Sequence, residues 1–551
     1  MAVVTLNKSE VKKILGKSKD EDLNNELSLF GLGVEKITEN EIDVEVTPNR
    51  PDMLSQHGIF RALNSYFKNK NKIYKISKPQ KDYSVKIDSS VKEVRPFTAC
   101  AIIMGLNFDD EKIKEIIDIQ EKLHTTVGRN RKKLAIGIYP LEKIKLPISY
   151  KAELPEDIKF IPLEMDRELN AKQILSKHPT GREYGHLLQD FDKYPVFRDA
   201  DNQILSMPPI INSHKTGKIT QDTKDVFIEC SGFDLEVLSK TLNILVTTLA
   251  DMGGEICSMN LNYGKKKIIT PNLEPEKIKI EIKDAGKLLG IELSEGLVKK
   301  LLEKMGYSYN LKNREVEIPS YRVDILHPVD IYEDIAIAYG YDNFSPEIPE
   351  ISTIGQSDEK EIKKRKIAEI LTGLGFLETS NYHLTTKQDL RNCGFRIPVL
   401  EVKDSKTEYN VLRPNLLTQQ LKILGENIDA SYPQKIFEIG RVFEKTQEIE
   451  KNKNSETQET NILEKENLCI AIAGETNFTE IKQVLEYLGK MLDIKFEIKE
   501  AKHPLLIEGR TASIILNDKE IGIFGEVSPY VLKNWHIKMP LVALEMDVEE
   551  L

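Results

Sequence analysis

The chain has 551 residues, 40% of them apolar and 30% charged, with five cysteines and a formal net charge of -10. At roughly 100 to 200 residues per domain this length calls for about three to five domains and excludes a single-domain protein. Lys and Arg total 78 against 88 for Asp and Glu, which excludes a chain-wide electrostatic clamp on nucleic acid. Contact with a polyanion must be local or supplied by a partner.

No stretch approaches the ~20 uncharged apolar residues that a bilayer helix needs. The opening MAVVTLNKSEVKKILGK lacks a basic leader followed by an apolar core. The expectation is a cytoplasmic protein, neither secreted nor membrane-spanning. Cys100, Cys230, Cys257, Cys393 and Cys469 lie far apart, without CxxC or Cys/His ligand spacing, and read as reduced, mostly buried thiols.

In chain order, residues 1–85 open with a strand, VVTL. Helical spacing follows in SEVKKILG and LNNELSLFG, then an alternating strand, EIDVEV, and a helix after PNRPD. Residues 271–345 repeat that order, with KIKIEI and REVEIPSYR as strands and VDIYEDIAIAYGY as the closing helix. The landmarks Gly16/Gly290, Gly31/Gly306, Pro48/Pro319, Arg50/Arg322 and Asp52/Asp324 stand 271 to 275 positions apart, as two diverged copies of one α+β module would place them. Residues 90–270 between them mix β-branched strands with helices and carry dense Pro/Gly punctuation in HPTGREYG and SMPPIINSHKTG, which predicts a mixed domain with a loop-rich site. FSPEIPEISTIGQSDE reads as a linker into a last domain at 355–551, where the polar run QEIEKNKNSETQETNILEKEN is expected to be a disordered loop between strands.

Several familiar signals fail. LGKS lacks the upstream glycine of a phosphate loop, and no GxGxxG or GxSxG occurs. His178 and His186 have no carboxylate ligands in pattern and read as hydrogen-bonded or exposed histidines. The densest constellation is YRVDILHPVDIYED. A helix starting near Asp330 puts Asp330, Glu333 and Asp334 on one face of its first turn, with Asp324 on the approach, and four converging carboxylates favour a hard cation such as Mg²⁺. The same spacing also fits Asp330 as N-cap with Glu333 at N3, a capping box, and spacing leaves both open. In the first copy the corresponding positions are Gly58, Arg61 and Ala62, so the fold does not require the acids. The loop around SMPPIINSHKTGKITQ gathers hydroxyls and amides, which suit either a ligand pocket or ordinary turn bonding.

Taken together, TPNRPDMLSQHGIFRAL, PVFRDADNQILSMPPIIN, KDVFIECSG, PSYRVDILHPVDIYEDIAIAYGY, LRPNLLTQQL, KIFEIGRVF and FGEVSPYVLKNW make the chain resemble the β subunit of phenylalanyl-tRNA synthetase, of the shorter archaeal and eukaryotic type. The resemblance implies an α+β multidomain fold. Winged-helix-like modules, the second of B5 type, flank a B3/B4-type editing domain, and a degenerate class II synthetase antiparallel-sheet core follows. It implies a heterotetramer of two α and two β subunits that charges tRNA-Phe with phenylalanine using ATP and Mg²⁺, with aminoacylation on the α subunit. The β subunit supplies scaffold, tRNA-facing surface and a pocket that hydrolyses mischarged tyrosyl-tRNA.

Carried over by position, the editing residues are Phe197, Ser206, Glu229 and Ser231, with Asn212 and Thr216 on the neighbouring loop. The Mg²⁺ ligands are Asp324, Asp330, Glu333 and Asp334. Ser231 replaces the usual Thr, and Phe233 stands where a small polar residue is common. In the last domain Glu444 and Thr446 occupy the positions of an ATP-binding Arg turn, which implies loss of the phosphate clamp, and leaves Arg413 and Arg441 as pairing residues. Ending at 551 with no inserted oligonucleotide-binding barrel, the chain is expected to lack the extra tRNA-binding domains of the longer bacterial form. The competing readings are a non-catalytic RNA-binding or assembly scaffold with an inactive pocket, and a metal-dependent phosphohydrolase centred on the acidic cluster.

Overall fold

The computed structural model describes residues 2–80, 83–350, 353–394, 399–403, 405–445 and 462–551. They form two compact units, Met1–Ile348 and Pro349–Leu551. Among the described residues no helix is long and apolar enough to cross a membrane, and all five cysteines are buried free thiols.

The first unit contains two small modules with the same connectivity. In one, strands Ala2–Asn7, Glu41–Val46 and Gly33–Ile37 lie side by side in that order; in the other, Glu276–Lys279, Glu315–Ile318 and Ser308–Asn310 do the same. Two helices precede the second strand of each module, and one closes it: Gln56–Lys68 and Pro328–Tyr339. The paired glycines mark equivalent turns. Gly16 and Gly290 end their helices at φ 68° and 69°, and Gly31 and Gly306 turn at 99° and 88°, in the left-handed region where a Cβ is disfavoured. The copies also pack on each other: the Tyr66 hydroxyl donates to Ile337 O at 3.0 Å, and the Arg61 guanidinium lies 4.0 Å from the centre of the Tyr321 ring.

Between them in sequence lies a large mixed sheet. Its main path runs Ile211–Asn212, Ile204–Met207, Tyr194–Arg198, Ile148–Glu153, Ser84–Ile87, Glu255–Tyr263, Phe97–Met104, Val226–Gly232 and Leu134–Pro140. Ile76–Ser77 and Ser84–Ile87 therefore belong to this sheet rather than to the N-terminal module, because their pairing partners lie some 180 residues downstream, on Glu255–Tyr263. Helix Leu235–Asp251, buried on every face over Thr241–Ala250, covers the strands Phe97–Met104 and Val226–Gly232. Alternation along Val226–Gly232 then decides the site: Val226, Ile228 and Cys230 join the core that includes this helix, while Phe227 joins the core on the opposite side. Glu229 and Ser231 share the face of Phe227.

The second unit is built on seven strands in the order Leu377–Glu378, Gln434–Lys445, Ile462–Ala473, Leu541–Asp547, Lys519–Val527, Leu506–Leu516 and Glu497–Glu500, antiparallel except at the first pair. Helices Glu359–Gly373 and Phe478–Leu492 pack on the Leu468, Ile470 and Ile472 face, and Leu417–Glu426 packs on the Cys469, Ala471 and Ala473 face. Of the polar run expected as a loop, 447–461 lie outside the described residues. Ile462–Asn467 differ from that expectation: they pair with Gly440–Lys445. Complementary charges support the pairing, with Arg441 bonded to Glu464 and Glu466, and Lys465 to Glu444. A polar composition hides a strand whose cross-strand partners are ion pairs.

Candidate active site

A cavity of about 480 Å³ opens in the central domain, with Ser206, Asn212 and Glu229 among its lining residues. Each is delivered by a strand. Glu229 comes from Val226–Gly232, Ser206 from Ile204–Met207, and Asn212 lies opposite Ser206 after the chain reverses through the cis Pro208–Pro209 peptide. Glu229 is 1% exposed. The Tyr139 hydroxyl donates to its Oε1 at 3.2 Å and lies 3.3 Å from Asn212 Oδ1. Among the described residues no group makes a hydrogen bond of good geometry to the buried Glu229 Oε2 or to the buried Ser206 hydroxyl, although the Tyr139 hydroxyl lies close to Ser206. Burial pushes the Glu229 carboxyl up to about 8, against the opposing pull of the Arg95 guanidinium and the Tyr139 and Ser231 hydroxyls. The Ser231 hydroxyl, which accepts from Arg95, is near enough to pull on the carboxyl but not in hydrogen-bond geometry with Oε2, which is a donor with a proton and an acceptor without one.

The other three predicted residues stand behind this wall. Phe197 is fully buried and stacks on Tyr150 with centroids 4.2 Å apart. The Thr216 hydroxyl donates to Ile204 O at 3.1 Å, holding the short helix His214–Gly217 against the Ser206 strand. Ser231 accepts at 3.3 Å from Arg95 Nε, and Arg95 Nη2 donates to Ser231 O at 2.8 Å. Burial lowers the Arg95 guanidinium to about 10, and its plane lies near the exposed Phe233 ring.

Sequence reasoning missed Tyr139, Arg95 and a second network. Glu121, His124 and Arg131 also line the cavity. Arg131 Nη2 donates to Glu121 Oε1 at 2.8 Å, Nη1 donates to Ile210 O at 2.9 Å and to Pro209 O at 3.3 Å, and His124 Nε2 accepts the Ile136 N–H at 2.8 Å. Burial alone would raise Glu121, but His124 and Arg131 hold it at about 2. The network ties the Leu134–Pro140 strand to the Pro208–Pro209 turn. One signal was available: Gly137 in the strand LAIGIYP, where a Cβ would meet the Tyr139 hydroxyl at 2.1 Å and Glu229 Oε1 at 2.7 Å. His178, expected to be hydrogen-bonded or exposed, is buried, caps helix Pro179–Tyr184 and contacts Leu163 O.

The acidic cluster does not assemble as spacing suggested. The helix begins at Pro328, with His327 as N-cap and Asp330 at N3, so Asp330 does not cap with Glu333; Asp330 Oδ2 accepts the Leu326 and His327 amides at 2.8 and 2.7 Å. Pro at the first helical position sets that start, since its fixed φ suits N1 and it has no N–H to leave unpaired. Asp324 and Asp334 are both held by the buried Arg322 at 2.7 Å, and the Tyr307 hydroxyl also donates to Asp334. Glu333 is exposed. Among the described residues no group of three or more His, Cys, Asp or Glu side chains is arranged to hold a metal. A guanidinium already neutralises the two buried carboxylates, so these residues as arranged do not fit Mg²⁺.

Three family descriptions match the chain: the B3/4 domain at residues 106–247, the tRNA synthetase B5 domain at 278–341, and the phenylalanyl tRNA synthetase beta chain CLM domain at 345–548. The phenylalanine–tRNA ligase beta subunit of Thermococcus kodakarensis is 37% identical over 519 residues, covering 90% of this chain and 89% of its own; that of Archaeoglobus fulgidus is 35% identical, covering 100% and 98%. The chain belongs to the phenylalanine–tRNA ligase β-subunit family. A crystal structure of an N-terminal fragment of the phenylalanyl-tRNA synthetase beta subunit from Pyrococcus horikoshii is similar with a TM-score of 0.58 and 37% identity, over 61% of this chain and 99% of the fragment. Membership makes the protein part of an aminoacyl-tRNA ligase and implies an α-subunit partner and a tRNA.

In the second unit of this β subunit, Arg413 is 2% exposed and its Nη1 donates to Glu438 Oε1 at 2.7 Å and to Gln419 Oε1 at 2.8 Å. Arg441 is on the surface. Glu444 is paired with Lys465, and Thr446 lies outside the described residues.

Proposed function

We propose that this β subunit hydrolyses tyrosyl-tRNA(Phe) in the central cavity, scaffolds the catalytic α subunit in an α2β2 assembly, and contributes to binding tRNA-Phe. The observation that carries the editing reading is the pair of orphaned buried atoms, Ser206 Oγ and Glu229 Oε2, in the wall of one cavity. An unpaired buried polar group costs about 1–3 kcal/mol, so two of them in one wall favour a ligand that supplies the missing hydrogen bonds. A phenol does so, because its oxygen both donates and accepts. Phenylalanine lacks that hydroxyl and would leave both atoms unpaired, which is the situation in which a site discriminates strongly.

In this reading Glu229 and Ser206 hold the phenol, Phe197 stacked on Tyr150 forms the apolar backing, and Arg95 fixes Ser231. Asn212 sits beside the Tyr139 hydroxyl, and Thr216 fixes the loop. Water attacks the ester carbonyl carbon, the bond to the ribose oxygen breaks, and that oxygen leaves as a hydroxyl carrying a proton from the water. The terminal ribose hydroxyl of the tRNA positions the attacking water. No covalent enzyme intermediate is needed.

The Pro349–Leu551 unit is proposed to be a class II synthetase-type core without its own ATP chemistry, since Glu444 is neutralised by Lys465 where an active core places an Arg on phosphate. ATP and Mg²⁺ are then substrates and ions of the assembled ligase. The test is deacylation of tyrosyl- and phenylalanyl-tRNA by the α–β complex and by Glu229→Ala in the same complex. Faster loss of tyrosine than phenylalanine in wild type, with at least a ten-fold smaller preference in the variant, is expected. Equal slow rates in wild type would sink the editing assignment.

A further inference from the structure

Arg129, Asn130 and Arg131 adopt the left-handed region in succession, at φ 47°, 53° and 62°. For residues other than glycine each such step costs on the order of 1 kcal/mol, least for Asn, so the turn persists because its surroundings hold it. Backbone bonds supply part of the hold: Arg131 N donates to His124 O at 3.0 Å and Lys133 N to Gly128 O at 2.8 Å. The Arg131 side chain supplies the rest. It is buried, donates to Glu121 Oε1, Pro209 O and Ile210 O, and lies 4.6 Å from the centre of the Tyr184 ring. Pro209 and Ile210 line the cavity, so the turn is fastened to the cavity wall.

With Arg131 committed inward, Arg129, Lys132 and Lys133 are exposed. Among the described residues none offers any of the three side chains an ion pair or hydrogen bond, whereas nearby Lys122 is paired with Asp118 and Glu121 is taken up by Arg131. In a chain with a net charge of -10, three uncompensated cations sit on a turn whose Arg131 lines the cavity, and that placement needs a reason.

We infer that Arg129, Lys132 and Lys133 form a landing for the backbone phosphates of a single RNA strand whose 3′ end enters the cavity. This rests on the reading that the cavity takes an ester carried on the terminal ribose of an RNA. Such a ligand brings its last phosphates to the cavity rim whatever amino acid it carries. Contacts made by cations to phosphate fix register without reading sequence, which suits an end shared by correctly and wrongly charged molecules. Of the four exposed side chains at 129, 130, 132 and 133, three are cationic and none is apolar, which favours a polyanion strand over a lipid surface.

The probe is a labelled RNA minihelix, an acceptor stem ending in a single-stranded ACCA, titrated against the full chain in complex with its α subunit at several KCl concentrations. Arg129→Ala/Lys132→Ala/Lys133→Ala is expected to bind about ten-fold more weakly near ~0.1 M salt and to lower the log–log salt slope by about 2, since each single-strand phosphate contact contributes ~0.7. A charge-keeping variant, Arg129→Lys/Lys132→Arg/Lys133→Arg, retains both affinity and slope. An alanine variant with wild-type slope overturns the inference, and so does a weaker affinity that the charge-keeping variant shares. Tyrosyl-tRNA deacylation is measured in parallel: wild-type complex that binds the minihelix with the expected slope but hydrolyses nothing refutes the editing reading alone, and normal hydrolysis with an unchanged slope in the alanine variant refutes the landing alone.

Discussion

Two buried glutamates, one in each unit of this protein, are used in opposite ways. Glu438, 2% exposed, has both oxygens filled: Arg413 and the Asn381 amide N–H on Oε1, the Asn381 and Gln420 side-chain amides on Oε2. Glu229, 1% exposed, has one oxygen filled by Tyr139 and one empty, and the nearby Arg95 is spent on Ser231. Burial is the same in the two cases; completion is not. A buried carboxylate with every lone pair answered locks a core, and one with an open valence is poised for a ligand.

The largest effect that tests this contrast is loss of a partner in the completed cluster. Glu438→Ala leaves Arg413 buried and unpaired and is expected to cost about 3–5 kcal/mol in chemical unfolding of the full chain. A loss below about 1 kcal/mol would break the comparison, because the cluster would then not be holding the core.

Next is Gly137→Ala. Its Cβ would meet the Tyr139 hydroxyl at 2.1 Å and Glu229 Oε1 at 2.7 Å, both within a packed wall. Overpacking there is expected to cost about 1–3 kcal/mol and to abolish the preference for tyrosyl-tRNA. Wild-type stability together with wild-type preference would mean that Tyr139 does not set the position of Glu229.

Glu229→Gln sharpens the contrast through pH. The folded carboxyl stands at about 8 against its ordinary 4.5, so the folded state holds a proton that the unfolded chain releases. The resulting stabilisation is complete below the unfolded value and disappears as pH climbs through the folded one. Glutamine has the same shape and no proton to lose. The melting temperature of wild type relative to the variant should therefore fall by several degrees between pH ~5 and ~9, and a flat difference would remove the raised carboxyl from the account.

The smallest effect is expected at the acidic cluster. Because Arg322 already bridges Asp324 and Asp334, adding Mg²⁺ or EDTA to the isolated chain should move its melting temperature by less than about 1 °C, and Asp330→Asn, which can still accept the Leu326 and His327 amides, should leave it equally unmoved. A saturable stabilisation by Mg²⁺ that Asp330→Asn abolishes would mean that the carboxylates regroup around the ion.

Much of this was written in the sequence because it depends on local rules. The paired glycines at nearly equal offsets and the helix-forming periodicity of the two modules are properties of short windows, and the structure keeps them. So too was the choice of Ser206, Asn212 and Glu229 for one cavity, though it came from resemblance and not from periodicity. The tertiary structure alone decided what each polar group touches. That Arg322 stands between Asp324 and Asp334, that Tyr139 bonds one oxygen of Glu229 while the other makes no hydrogen bond, and that Ile462–Asn467 is a strand are outcomes of how the chain packs in three dimensions. Spacing along a helix gives the side on which a carboxylate emerges. It does not say which group meets that carboxylate, here Arg322 on the preceding loop for Asp334, and the free energy of a buried charge is set by that partner.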